Sequence, residues 1–503
     1  MPAMTASAQP DFDVLIVGAG VSGVGIAWHL QNDIKGSPVS YCILDQRESV
    51  GGTWDLFRYP GIRSDSDLHT FGFAFKPWKS PQSIADAPII LDYLNETVDE
   101  NDIRKNIRFG HKVRSAEWSS EEALWTVEAT TDAGAQVTLT ARWLLSAAGY
   151  YSYDKAWAPD FDGEGEFAGK IVLPQFWPED LDYSGKKVVV IGSGATAVTV
   201  VPAMARTGAE HVTMLQRSPT YVMSVPKNDP VANFIKRVLP HKLAYALVRR
   251  KNIFFQKVTF SLSQKYPDFV RKFIRRANIK ELPEGFDVDT HFKPDYNPWD
   301  QRLCSVPDGD LFAEIKKGRV SVATDHIDRF TPDGILLKSG AKLEADIVVK
   351  ATGLNVVPFG GIKTKIDGED LVLNDHLAYR GLMVSDVPNF AYSIGYTNSS
   401  WTLKVDIIAE YLCRVLDHMD RFGFTVCKPV NDDPTMATRP LLDFKAGYVQ
   451  RVINDFPREG DREPWSLKMN FLYDRKQLRT APIEDGLLQF SKASARQRVA
   501  SSA

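Results

Sequence analysis

Residues 14–25 read VLIVGAGVSGVG, four apolar residues followed by glycines at 18, 20 and 23. An apolar run that stops on a glycine predicts a buried strand and a tight turn, and the following VGIAWHLQN predicts a helix. The next strand, YCILD, ends on Asp45. A G-x-G-x-x-G turn between strand and helix, with an acid closing the second strand, predicts a dinucleotide-binding unit. Backbone amides at the helix start approach a pyrophosphate, and the acid accepts hydrogen bonds from an adenosine ribose. The pattern recurs 174 positions on, from Gly18 to Gly192: residues 188–197 read VVVIGSGATA, with Gly192, Gly194 and Ala197, and the next strand HVTMLQR ends on Arg217, followed by Ser218. An arginine in that place suits a 2′-phosphate where an aspartate suits a free hydroxyl. The expected fold class is therefore α/β with two Rossmann-like units that hold two different dinucleotides, the second being NADP(H).

With 503 residues the chain exceeds what one core organises, and two or three domains are expected. Its 44% hydrophobic and 24% charged residues are those of a globular protein, and a net charge of −3 gives no general attraction to nucleic acid, so no nucleic-acid partner is expected. Cys42, Cys304, Cys413 and Cys427 are scattered without C-x-x-C spacing. That excludes a dithiol redox centre and a zinc knuckle, so no metal is expected, and it fits a reducing cytoplasm. The start MPAMTASAQPDFD has neither a basic nor an apolar stretch of the secretory kind, and no apolar run reaches transmembrane length. The small polar ends, 1–11 and 490–503, are expected to fray.

One segment departs from the average. Between positions 227 and 280 stand 14 Lys or Arg against two acids, Asp229 and Asp268, so the segment carries +12 and the remainder −15. Aromatic and aliphatic residues interleave with the cations, as in FIKRVLPHKLAYALVRRKNIFF and DFVRKFIRR. Two readings stay open: basic amphipathic helices at an anionic membrane surface, or a solvated helical insertion that covers a site. Either one modifies access to the site.

The stretch after Asp45 carries the most specific signal. Residues 51–65 read GGTWDLFRYPGIRSD. This resembles, at each defined position, the [A/G]GxWxxxx[F/Y]P[G/M]xxxD signature of Baeyer–Villiger monooxygenases. A second signature of that family, FxGxxxHxxxW, is matched in the linker before the second unit at Phe167, Gly169 and Trp177, but Leu173 replaces the histidine. The segments ADIVVKATGLNVVPFGG and GYTNSSWTLK extend the resemblance over most of the chain, which is most similar to the ethionamide-activating branch through LDYSGKKVVVIGSGATAV and NPWDQRLCSVPDGDLF.

The resemblance implies FAD at the first unit, bound through Gly18, Gly20, Gly23, Asp45, Gly52, Thr53, Trp54 and Asp65, and NADPH at the second, bound through Gly192, Gly194, Ala197, Arg217 and Ser218. It implies an NADPH- and O2-dependent enzyme that converts ketones into esters or lactones through an FAD C4a-peroxide and also oxidises sulfides. The catalytic arginine of the family maps onto Arg302, within WDQRLC, with Asp65 as its partner; Gln301 stands where a lysine is often found. The family associates the missing histidine with interdomain coupling, so Leu173 puts coupling in question. The alternatives are a flavin-containing N- or S-monooxygenase and an uncoupled NADPH oxidase or redox-sensing flavoprotein; a flavin disulfide reductase lacks its cysteine pair here. The expected division is 1–150 with 385–503 as the FAD unit, 151–226 with 300–384 as the NADP unit, and 227–299 as the helical insertion. A cytoplasmic location, with peripheral membrane contact through 227–280, completes the expectation.

Overall fold

The computed structural model describes residues 9–300, 303–396, 398–442 and 447–492. Its first unit grows from the strand Phe12–Val17, which pairs in parallel with Tyr41–Leu44 on one side and with Gln136–Ser146 on the other. Val14, Leu15 and Ile16 are fully buried: Val14 and Ile16 face helices, while Leu15 packs with side chains of the antiparallel strands of the same sheet. The helix Val21–Asn32 crosses between the first two strands and packs against Thr402–Phe422, near the end of the chain. An antiparallel meander, His111–Ser119, Leu124–Thr131 and Gln136–Ser146, widens the sheet to nine strands. ALWTVEAT and TLTARWLLSAAG therefore lie in strands, as their alternation predicts.

The second unit is a five-stranded sheet ordered Val320–Thr324, His211–Gln216, Lys187–Ile191, Ile347–Lys350 and Lys170–Val172, with every pair parallel. The helix Ala195–Arg206 provides its first crossover. The α/β class and the two Rossmann-like units are those the glycine motifs indicate.

The strands Val222–Val225 and Cys304–Pro307 pair in parallel and frame the insertion between them. It is helical throughout its main elements: Pro230–Val238, His241–Lys265, Pro267–Glu281 and Val288–Phe292. Asp229 starts the first helix by accepting a hydrogen bond from the Ala232 amide at 2.9 Å, with Pro230 at the first helical position.

Three expectations need correction. The chain returns to the first sheet well ahead of position 385, since Lys363–Ile366 pairs with His111–Ser119 and then with Glu369–Asp370. The segment around Leu173 is no free linker, because Lys170–Val172 is the edge strand of the second sheet. Gly169 is required there, since a Cβ would lie 2.2 Å from the Asp346 carbonyl oxygen. Residues 490 and 491 are not frayed either, for Leu488–Ser491 pairs with Val426–Pro429.

Candidate active site between the two dinucleotide units

Two cradles of backbone face each other. In the first, Gly23 lies so close under the turn that a Cβ would meet the Gly18 carbonyl oxygen at 1.9 Å. This close approach seats the helix Val21–Asn32 on the strand, and its N-cap, Gly20, offers no side chain to the first-turn amides. Those amides are left to a ligand, as at other anion-binding helix starts. In the second, Gly194 caps Ala195–Arg206 without a side-chain partner, and the place of its missing Cβ has no atom within 4 Å. Both turns keep open the room that a pyrophosphate needs.

The carboxylate expected to hold a ribose is already oriented. Asp45 follows its strand, is buried, and accepts from the Ala19 amide at 2.6 Å and the Arg47 amide at 2.8 Å. Burial raises its pKa, opposed by those two amides. Arg217 and Ser218 follow the strand His211–Gln216 in the second unit and are exposed, as phosphate-binding groups at a rim can be.

The signature stretch lies between the cradles. Gly52 starts the turn Thr53–Leu56 against Gly20, and a Cβ at Gly52 would approach the Gly20 Cα to 3.1 Å. Asp55 is buried and pinned by Arg47 and Arg58. Beyond Pro60 and Gly61 the chain turns toward the second unit: the Arg63 guanidinium grips the buried Asp310 carboxylate at 2.5 and 3.2 Å, and Arg206 joins at 3.2 Å. Asp310 begins the helix Asp310–Lys316, which packs on Ala195–Arg206.

A cavity of about 340 Å³ runs from Asp45 past Gly18, Gly20, Gly52, Thr53 and Trp54 to Asp65, and then to Ala195 and Thr196 of the second unit. Seven of the expected site residues therefore line one space. Gly23 sits beneath it as packing, while Gly192, Gly194, Ala197, Arg217 and Ser218 lie outside its wall on the second unit. Asp65 is exposed at the wall, with the Ser66 hydroxyl 3.4 Å from Oδ1. Arg302 and Gln301 lie outside the described residues.

The cavity also has walls that the motifs did not announce. Tyr59 reaches across to Thr196; burial pushes its phenol up to about 12, against the hydrogen bond to Thr196, so it stays protonated at neutral pH. Tyr153 lies beside Thr53 with its pKa raised, chiefly by burial. Trp401, from the late segment, stacks on Tyr150 at 5.4 Å and donates to the Ser22 hydroxyl at 2.8 Å. Tyr59 stands inside the signature and could have been singled out there. Trp401 and Tyr153 had only an aromatic identity to mark them.

Two dinucleotide cradles and a shared cavity define a flavoprotein oxidoreductase architecture. The sequence matches the family described as pyridine nucleotide-disulphide oxidoreductase over residues 15–250. It is 51% identical over 483 residues to the FAD-containing monooxygenase EthA of Mycobacterium tuberculosis, covering 96% of this chain and 98% of that protein. Among solved structures it is similar to an oxidised steroid monooxygenase bound to NADP, at TM-score 0.73 and 23% identity over 96% of this chain and 99% of that one. A cyclohexanone monooxygenase bound to ε-caprolactone is similar at TM-score 0.73 and 21% identity, over 95% and 99%. The chain belongs to the family of FAD-containing monooxygenases.

Proposed function

We propose that the protein is an NADPH- and O2-dependent Baeyer–Villiger monooxygenase that converts apolar ketones into esters or lactones and also oxidises sulfides. The observation that carries this reading is the single cavity in which Asp65, at the end of the signature, meets Ala195 and Thr196 of the second unit. The likeness to steroid and cyclohexanone monooxygenases, the latter bound to a lactone, supports the same chemistry.

The amides beyond Gly18 and Gly20 would hold the FAD pyrophosphate, with Asp45 on the ribose; those beyond Gly192 and Gly194 would hold NADPH, with Arg217 and Ser218 on the 2′-phosphate. When bound, NADPH supplies the hydride and FAD the activation of oxygen. In the balanced reaction a ketone, O2, NADPH and a proton give an ester, NADP+ and water. The protein positions the ketone and keeps water out with Trp54, Phe57, Ile62, Phe71 and Trp401, all of which line the cavity. By the family resemblance, Arg302 would provide the positive charge where negative charge develops, with Asp65 as its partner, which would be electrostatic preorganisation. Neutral Tyr59 remains a donor at the boundary of the two units.

Arg302→Ala should abolish ester formation from a methyl ketone while FAD stays bound; an unchanged ester yield overturns the assignment. Leu173 favours a second reading, an oxidase with weak coupling, because the position offers no titratable or hydrogen-bonding group. Its mark is hydrogen peroxide formed in step with NADPH consumed whichever ketone is offered, and the same assay reads it.

A further inference from the structure

Among the described residues, sixteen large hydrophobic side chains are exposed, and twelve of them fall between Val231 and Ile279. They are arranged by helix. Val231, Phe234 and Val238 recur at i, i+3 and i+7 on Pro230–Val238. Leu243, Leu247, Phe254 and Leu262 form a stripe along His241–Lys265 with Phe255 exposed beside it, and Phe269 and Phe273 stand one turn apart on Pro267–Glu281. Phe234 is 65% exposed and Phe269 66%, values at which an aromatic ring is packed by little of its own chain. The concentration is not the scatter of single apolar residues that any surface shows.

The opposite face of the long helix explains why it stays seated. Tyr245 donates to the Phe73 carbonyl oxygen at 3.0 Å, and Arg249 donates to the carbonyls of His69, Thr70 and Gly72 and to Asp406. Asn252 and Gln256 bond Asp67, two residues from Asp65 at the cavity wall. The buried face is thus polar and specific, and the outward face is greasy.

The charges on that outward side are mostly uncompensated. Lys251 pairs with Asp229 and Arg275 with Asp289, but among the described residues Arg237, Lys242, Arg250, Lys257, Lys272 and Arg276 make no ion pair. Lys242 and Arg250 also rim a cleft of about 370 Å³ toward the helix Phe471–Thr480, with Arg475 opposite and Phe75, Ile253 and Phe471 inside. Aromatic and aliphatic side chains protruding amid lysines and arginines match the boundary of an anionic bilayer, where rings enter the acyl region and cations meet phosphates. With +12 on the insertion and −15 elsewhere, the molecule is also steered with this face toward such a surface. A second copy docking through the same face would oppose +12 with +12. No helix among the described residues is long and apolar enough to cross a membrane.

We infer that the helices of 230–281 are a docking surface for an anionic lipid bilayer, on which the protein rests peripherally with the outward face of His241–Lys265 at the lipid boundary. The test is co-sedimentation of the full-length, FAD-loaded protein with vesicles of phosphatidylcholine alone or mixed equally with phosphatidylglycerol, at low and high salt. Partition onto the anionic vesicles should exceed that onto neutral ones and fall with salt. Arg250→Gln and Lys257→Gln should each lower it by about fivefold. Phe254→Ser with Phe255→Ser should lower it at constant charge, with flavin absorbance unchanged to show that the fold is intact. Absence of partition at low salt, or partition unaffected by both kinds of variant, overturns the inference. So does a dimer that the Phe254→Ser, Phe255→Ser variant converts to monomer without changing vesicle binding, since that assigns the face to a second copy.

Discussion

Gly192 and Gly194 stand two positions apart in the second turn and answer different demands. Gly192 has φ +131°, and a Cβ there would lie 2.3 Å from the Ala351 carbonyl oxygen. Gly194 has φ −77°, which any residue adopts, and open space beside it. Gly192→Ala should therefore cost stability, by about 1–3 kcal/mol from backbone strain before any clash is counted, seen as a lower melting temperature of the ligand-free protein. Gly194→Ala should melt like the parent but raise the KM for NADPH roughly tenfold, equivalent to about 1.4 kcal/mol, by occupying the approach to the pyrophosphate. An unaltered KM would remove Gly194 from the cofactor cradle. These glycines, and Asp45, were legible because each sits at a fixed place in a strand–turn–helix–strand motif. Tyr59 against Thr196 was not, since that contact joins two units whose relative placement no local pattern encodes.

At the scale of elements, the helix Val21–Asn32 carries a buried histidine that ties three helices together. His29 Nδ1 lies 2.6 Å from Asp33 and Nε2 lies 3.5 Å from Asp406 on Thr402–Phe422; Asp406 also receives Arg249 from the insertion at 3.2 Å. Burial works against the charged ring, but the hydrogen bonds and charges of Asp33 and Asp406 prevail and raise its pKa to about 9 from 6.5. A proton held more tightly in the folded state stabilises it fully below pH 6.5, and that stabilisation disappears as pH rises through 9. The loss is on the order of 3 kcal/mol. The midpoint of urea unfolding should thus fall between pH 7 and 10 in the parent and fall much less in His29→Gln; parallel slopes would refute the role. The sequence announced the helices themselves, the insertion through its amphipathic pattern and VGIAWHLQN through the glycine turn that precedes it. It could not announce this triad, whose members are 377 and 157 positions apart. Nor did it mark Lys363–Ile366, where KTKI alternates between exposed and half-exposed positions and has no apolar run to signal a strand.

For the whole molecule, the decisive contact is the one by which the signature stretch holds the second unit. Arg63 and Asp310 are each only 7% exposed and lie 247 positions apart, and Arg206, 43% exposed, completes the cluster. Removing one partner of a buried pair strands the other charge, a loss of roughly 3–5 kcal/mol, whereas an apolar pair of similar size can be close to neutral. Asp310→Asn should therefore lower the melting temperature of the protein and also slow the anaerobic bleaching of bound flavin by NADPH, because the two cradles share the cavity that this contact frames. FAD should remain bound, since Asp45 and the first turn are untouched. The double variant Arg63→Met, Asp310→Leu separates the two consequences. It should recover most of the melting temperature, as packing replaces the ion pair, but not the rate of bleaching if the directed guanidinium–carboxylate geometry sets the distance between the cradles. Recovery of both would reduce the contact to packing between the units, and a single variant that bleaches at the parental rate would remove it from interdomain positioning.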